Sequence, residues 1–123
     1  MKNKMANGQG KLIKTSTHSL IYEGKWLKNL YHGQGTLFNQ NKTELDSPFD
    51  YKDFSLLKNN WVSYEGDFYK GKFEGIGKLL LTNGEKYLGK FWKGSVHKTG
   101  NFRRKNGLNV AGIWENGILK YQI

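Results

Sequence analysis

Few side chains in this chain are equipped for chemistry. The three histidines are His18, His32 and His97. His18 lies in a polar turn, "KTSTHS", and no Ser-His-Asp set is suggested around any of the three. There is no cysteine, which excludes a thiolate nucleophile, a disulfide framework and a zinc knuckle. Asp46, Asp50 and Asp53 lie close in sequence but match no EF-hand spacing, and they read as a solvated acidic loop. The Gly-x-Gly pairs lack the following Lys-Ser/Thr and the strand-to-helix context of a phosphate loop. The expectation is a non-enzyme with no cofactor and no metal.

Charge is more informative. Twenty basic residues against ten acidic give a net charge of +10 over 123 residues. Residues 1–21 carry four lysines and no acid, and residues 87–109 carry Lys90, Lys93, Lys98, Arg103, Arg104 and Lys105 without an acid. Residues 43–63 reverse the sign, with Glu44, Asp46, Asp50 and Asp53 against Lys52 and Lys58. Such a field favours acidic partners: a protein surface, anionic lipid or nucleic acid. Basic residues beside an aromatic, as around Phe102 in "NFRRKNG", would suit single-stranded nucleic acid, but the aromatics recur at the repeat's structural positions, which disfavours that partner. The N-terminal "MKNKMANGQGKL" has no apolar core of a secretory signal, and no stretch approaches the ~20 apolar residues of a membrane span. An intracellular protein is expected.

The elements that must position these residues form a repeat. Tyr64-Glu65-Gly66-Asp67-Phe68 returns 23 residues later as Tyr87-Leu88-Gly89-Lys90-Phe91, and after another 23 as Val110-Ala111-Gly112-Ile113-Trp114. Tyr22-Glu23-Gly24-Lys25-Trp26 is the same unit upstream. Second halves recur as Gly33-Gln34-Gly35-Thr36-Leu37 and Gly75-Ile76-Gly77-Lys78-Leu79. In the next unit only Gly100 and Phe102 survive, with Lys98 at the place of the first glycine. Gly8-Gln9-Gly10-Lys11-Leu12 is a second half without a first half before it. Asn29, Gly71, Gly94 and Gly117 mark mid-unit turns, and Asn83-Gly84 and Asn106-Gly107 are hairpin signals. Each unit reads as strand, turn, strand. Residues two apart share a face, so Tyr64, Gly66 and Phe68 point one way. Gly66, Gly75 and Gly77 are expected to make room for rings from the neighbouring strand, and Gly71 and Gly84 to turn the chain. His32 and His97 fall at one repeat position, held by Glu74 in the unit between them, and a structural role is expected there.

The pattern Tyr-x-Gly-x-aromatic-x-x-Gly-x-x-x-Gly-x-Gly-x-Leu resembles the MORN repeat. It is carried by Tyr22, Gly24, Trp26, Gly33 and Gly35; by Tyr64, Gly66, Phe68, Gly75 and Gly77; by Tyr87, Gly89, Phe91 and Gly100; and by Gly112 and Trp114. The resemblance implies an all-β fold: an elongated single-layer antiparallel sheet of successive hairpins with little two-layer core. The whole chain is read as one domain, with a half repeat over 7–21, repeats at 22–42, 64–86 and 87–109, a terminal half repeat at 110–123 and an inserted loop at 43–63. The resemblance also implies a scaffolding or tethering role, as in cytoskeletal and ciliary assemblies and at junctions between membranes and cytoskeleton.

The insertion holds the sole proline, Pro48, with Phe49, Tyr51, Phe54 and Trp61. It is expected either to cap the aromatic face or to present these aromatics to a partner. Lys90, Lys93, Lys98, Arg103, Arg104 and Lys105 are the candidate basic contacts. The expected function is a non-catalytic assembly subunit that meets acidic surfaces of other protein subunits in the cytoplasm, on the cytoskeleton or in a cilium. The alternatives are a peripheral adaptor on anionic lipid and a regulatory subunit of an enzyme. The orphan half unit leaves an edge strand open to pairing.

Overall fold

A computed structural model describes residues 5–123; two of the N-terminal lysines, Lys2 and Lys4, lie outside them. Nine strands form one sheet: β1 (Gly8–Lys14), β2 (Ser19–Leu27), β3 (Leu30–Phe38), β4 (Trp61–Tyr69), β5 (Lys72–Leu81), β6 (Lys86–Trp92), β7 (Ser95–Arg103), β8 (Asn109–Glu115) and β9 (Ile118–Gln122). Each pairs antiparallel with its neighbour in chain order. The fold is all-β, built from successive hairpins, as expected. Mid-unit turns have two central residues, both at positive φ: Lys28-Asn29, Lys70-Gly71, Lys93-Gly94 and Asn116-Gly117. That geometry matches the right-handed twist of the flanking strands.

Eight glycines stand directly opposite one another across the sheet: Gly10, Gly24, Gly35, Gly66, Gly77, Gly89, Gly100 and Gly112. The row exists because tyrosine rings lie over it. A Cβ at Gly35, Gly77 or Gly100 would fall on the ring of Tyr22, Tyr64 or Tyr87 respectively. Gly66 does a different job from the one expected of it. A Cβ there would meet the main chain of the paired strand, 2.5 Å from the Gly77 Cα. Gly75 also differs, because it is not under a ring. It sits at φ +68°, and a Cβ on it would approach the Asp67 carboxylate at 2.7 Å. Lys98 takes the equivalent place and holds the same left-handed conformation, φ 72°, with a side chain attached.

The tyrosine hydroxyls have their own task. The β2–β3, β4–β5 and β6–β7 ladders each slip after the first-strand glycine, at Gly24/Trp26, Gly66/Phe68 and Gly89/Phe91. Each slip sets one first-strand residue, Lys25, Asp67 or Lys90, against three on the partner strand outside that ladder, and the carbonyl of the single residue needs a donor. Tyr22 donates to the Lys25 carbonyl at 2.8 Å, Tyr64 to Asp67 at 2.7 Å and Tyr87 to Lys90 at 3.3 Å. The rings then pack on one another. Tyr22 stacks on Tyr31 at 4.0 Å and Tyr64 on Phe73 at 3.8 Å, while Phe68 and Phe91 meet these stacks edge-on. Tyr22, Tyr64, Tyr87 and Phe102 are fully buried.

Rings of the sheet itself cover Tyr22 and Tyr64, but over the C-terminal half Tyr87 and Phe102 take a second layer in addition to the expected single sheet. The segment 43–60 provides it. Phe49, Phe54 and Leu57 are buried against the sheet, with Phe54 edge-on to Tyr87, Phe102 and Trp114. The expected loop is also shorter than 43–63. Trp61, Val62 and Ser63 belong to β4, where Trp61 pairs with Leu81 and sets its ring against Phe73.

Four substitutions test this account by urea unfolding. Gly77→Val forces a side chain into the Tyr64 ring and should lose at least about 2 kcal/mol, while Lys78→Val on the opposite face should change stability by less than about 1 kcal/mol. Tyr64→Phe keeps the ring but orphans the Asp67 carbonyl, and should cost about 1–2 kcal/mol. Lys98→Gly relieves a left-handed non-glycine residue and should gain about 1 kcal/mol.

Candidate interaction surface

Alternation divides the sheet into two unlike faces. One carries the tyrosines, the glycine row and the 43–60 cap. The other carries the polar partners of the same strands and has no covering layer. On this open face Lys11 meets Glu23 at 3.8 Å and Lys78 meets Glu65 at 3.7 Å across neighbouring strands. Gln34 donates to the Asp67 carboxylate. The N-terminal half therefore balances its charges internally.

The C-terminal half of the open face does not. Lys90, Lys98 and Arg103 are exposed, as are Lys93 in the β6–β7 turn and Lys105 beyond β7. Lys86 stands directly opposite Arg103, and among the described residues neither has a carboxylate within 4 Å. Lys86 was not among the sequence candidates, although strand alternation from Tyr87 places it on this face. Lys93 sets its ammonium 4.5 Å over the Trp92 ring, and Lys70 lies 5.4 Å over Tyr69 one unit earlier.

Arg104 leaves the candidate set. Its Nη1 donates to the Glu85 carboxylate and to the Phe49 carbonyl, both at 2.8 Å, and its guanidinium lies over the Tyr51 and Phe102 rings. The four aromatics proposed as partner anchors leave it too. Phe49 and Phe54 are buried in the cap, and Tyr51 is packed on Phe102 while its carbonyl accepts from Trp114 Nε1 at 2.8 Å. Trp61 is a strand residue. Apolar side chains in an insertion were drawn onto the nearest uncovered apolar face, which belongs to this same chain.

Glu85 is the hub of that attachment and was not foreseen. It is 3% exposed and accepts from the Phe49 amide and from Asn83 Nδ2, each at 2.8 Å, as well as from Arg104. Burial pushes its pKa upward, but the hydrogen bonds from Arg104, Phe49 and Asn83 and the Arg104 charge outweigh that and hold it below the usual carboxylate value. The cap is also tied by main chain: Phe54 N–H donates to the Gly117 carbonyl at 2.8 Å and Leu119 N–H to Lys52 at 2.9 Å.

Two of the three histidines hold turns. His32 Nδ1 accepts from the Lys70 amide and His97 Nδ1 from the Asn116 amide, each at 3.2 Å. Glu74, at the same repeat position, accepts from the Lys93 amide at 3.2 Å. Asp53 caps the 3-10 turn Phe54–Leu56 through Ser55. Among the described residues no group of three or more His, Asp or Glu is placed to hold a metal ion.

Two pH dependences follow. Burial raises the tyrosines: Tyr22, with added repulsion from Tyr31, is pushed up to about 12, and Tyr64 and Tyr87 rise further. Their contribution is complete below the unfolded value near 10 and is lost as pH climbs through the folded values. Thermal melts should hold to about pH 10 and then fall, less steeply in Tyr64→Phe. The lowered Glu85 contributes above its unfolded value and is lost as pH falls through the folded one. Arg104→Ala should strip Glu85 of its counter-charge and lose about 2–4 kcal/mol, measured by chemical denaturation at neutral pH.

The MORN repeat family model matches residues 22–42 and 64–86, the two units with all their expected glycines or an asparagine at the turn. No curated protein is significantly similar to the chain. Repeats of this family are generally modules for protein or membrane interaction and are typically non-enzymatic. The chain thus carries two MORN repeats, joined in register to degenerate copies across one continuous glycine row.

Proposed function

We propose that this protein is a non-catalytic assembly subunit that makes protein–protein contacts within a larger complex, of the cytoskeletal or axonemal kind in which MORN proteins occur. The observation that carries the reading is the asymmetry of the sheet. The aromatic face is occupied by the chain's own rings and cap, while the opposite face is uncovered and basic over β6 and β7. A surface left uncompensated in charge favours an acidic partner, and the acidic surface of another protein subunit supplies one. The setting is the cytoplasm, on cytoskeleton or in a cilium.

A second reading has its own support. Tyr69 with Lys70 and Trp92 with Lys93 are exposed at one end of the strands, at the mid-unit turns. Aromatic rings beside lysines are the residues that settle at a membrane interface, and basic residues near anionic lipid add about 1 kcal/mol each. That would make the chain a peripheral adaptor.

Crosslinking in cells followed by purification, with vesicle flotation in parallel, separates the two. Stable recovery in a large particle with no binding to phosphatidylserine vesicles is the expected result. Salt-sensitive flotation abolished by Lys70→Glu and Lys93→Glu, with no protein partner recovered, would replace the scaffold by the adaptor.

A further inference from the structure

Two cationic places on the open face are joined by an apolar step. At one end of β6, Lys86 stands opposite Arg103. Like charges directly opposed across strands destabilise a sheet, and elsewhere on this face the chain sets Glu23 against Lys11 and Glu65 against Lys78. At the other end a shallow hollow of about 360 Å³ is bordered by Lys90, Lys98, Trp92 and His97. Glu74 also borders it, with one carboxylate oxygen held on the Lys93 amide. Between the two places Leu88 projects to solvent, 53% exposed. Lys86, Leu88 and Lys90 are successive residues of one face of one strand.

We infer that this strip receives an extended acidic segment of a partner protein, with carboxylates four residues apart and an apolar residue midway. The inference rests on the scaffold reading and names the chemistry of its partner. Side chains at i, i+2 and i+4 of an extended peptide share a face and span about 13 Å, the same span as Lys86 to Lys90 on β6. A segment lying along β6 thus sets one carboxylate on the Lys86–Arg103 pair, its apolar residue on Leu88, and the second carboxylate in the Lys90–Lys98 hollow beside Trp92. Leu88 favours a peptide over a phosphodiester, whose backbone offers no apolar group between its charges; a lipid surface, which can take up an exposed leucine, is separated from the peptide by the vesicle arm of the test.

Fluorescence anisotropy with two labelled peptides of equal composition tests this: one carrying Glu-Ser-Leu-Ser-Glu, the other an isomer with its glutamates adjacent. The spaced peptide should bind at least tenfold more tightly than the isomer. Lys86→Gln combined with Arg103→Gln should weaken it at least tenfold and Leu88→Ser severalfold, while Lys11→Gln in the N-terminal half leaves it unchanged. Circular dichroism and a thermal melt verify that each variant is folded; should the double variant fail to fold, Lys90→Gln with Lys98→Gln replaces it, with the same loss expected. Equal binding of both peptides, or tighter binding of phosphatidylserine vesicles or oligothymidylate to the same strip, overturns the inference. If both peptides are ignored while the chain still crosslinks to protein subunits, the inference falls and the scaffold reading stands. If neither peptide nor subunit is held, both fall.

Discussion

The structure depends on one steric fact: a tyrosine ring lies flat where a side chain would otherwise stand. At Gly35, Gly77 and Gly100 the ring of the paired strand occupies the Cβ position. Everything next to it follows. The ring reaches across because the strand slips behind the first glycine, and the hydroxyl then satisfies the carbonyl that the slip exposes. Sterics and hydrogen bonding therefore require the same residue type. Neither phenylalanine on one strand nor alanine on the other would serve both. This coupling explains how a sheet with glycine in almost every strand can still be ordered, since the side chains missing at Gly35, Gly77 and Gly100 are replaced by large ones from the neighbouring strand.

The repeat, the strand order and the ring-over-glycine packing were legible in the sequence because they are local. A period of 23 and a two-residue alternation place Tyr64, Gly66 and Gly77 without knowledge of anything distant. The role of Gly75 was not legible, since a left-handed turn residue and a ring-clearing residue look alike until φ is known. Lys98 illustrates this. It departs from the glycine pattern, yet the backbone there follows the pattern unchanged. Where the insertion would go was not legible either. Its aromatics fit a partner or the chain's own face equally well by composition, and only the three-dimensional neighbourhood of Glu85 and Arg104 decides between them.

The two faces of the sheet divide the labour. The aromatic face carries the stability, and substitutions there report on folding. The open face is balanced by Glu23 and Glu65 in its first half and left basic in its second. The sequence's densest basic run, Arg103-Arg104-Lys105, is split by this division. Alternation sends Arg104 inward to the cap and leaves Arg103 on the open face, so a run that reads as one patch belongs to two different structures.

A ladder of hairpins ordinarily folds by neighbours: any rung can form, and the rest adds on from there. The 43–60 segment removes that freedom. It leaves the sheet between β3 and β4 and fastens onto β7, β8 and β9, at Phe102, Trp114, Gly117 and Leu119. The middle of the chain is thereby locked to its end, and the last strands cannot fray without uncovering the insertion. Contacts of such long sequence separation slow folding and merge the rungs into one cooperative unit. This protein should therefore lose its C-terminal half in a single event, as a compact domain does, where an unbridged ladder would peel strand by strand.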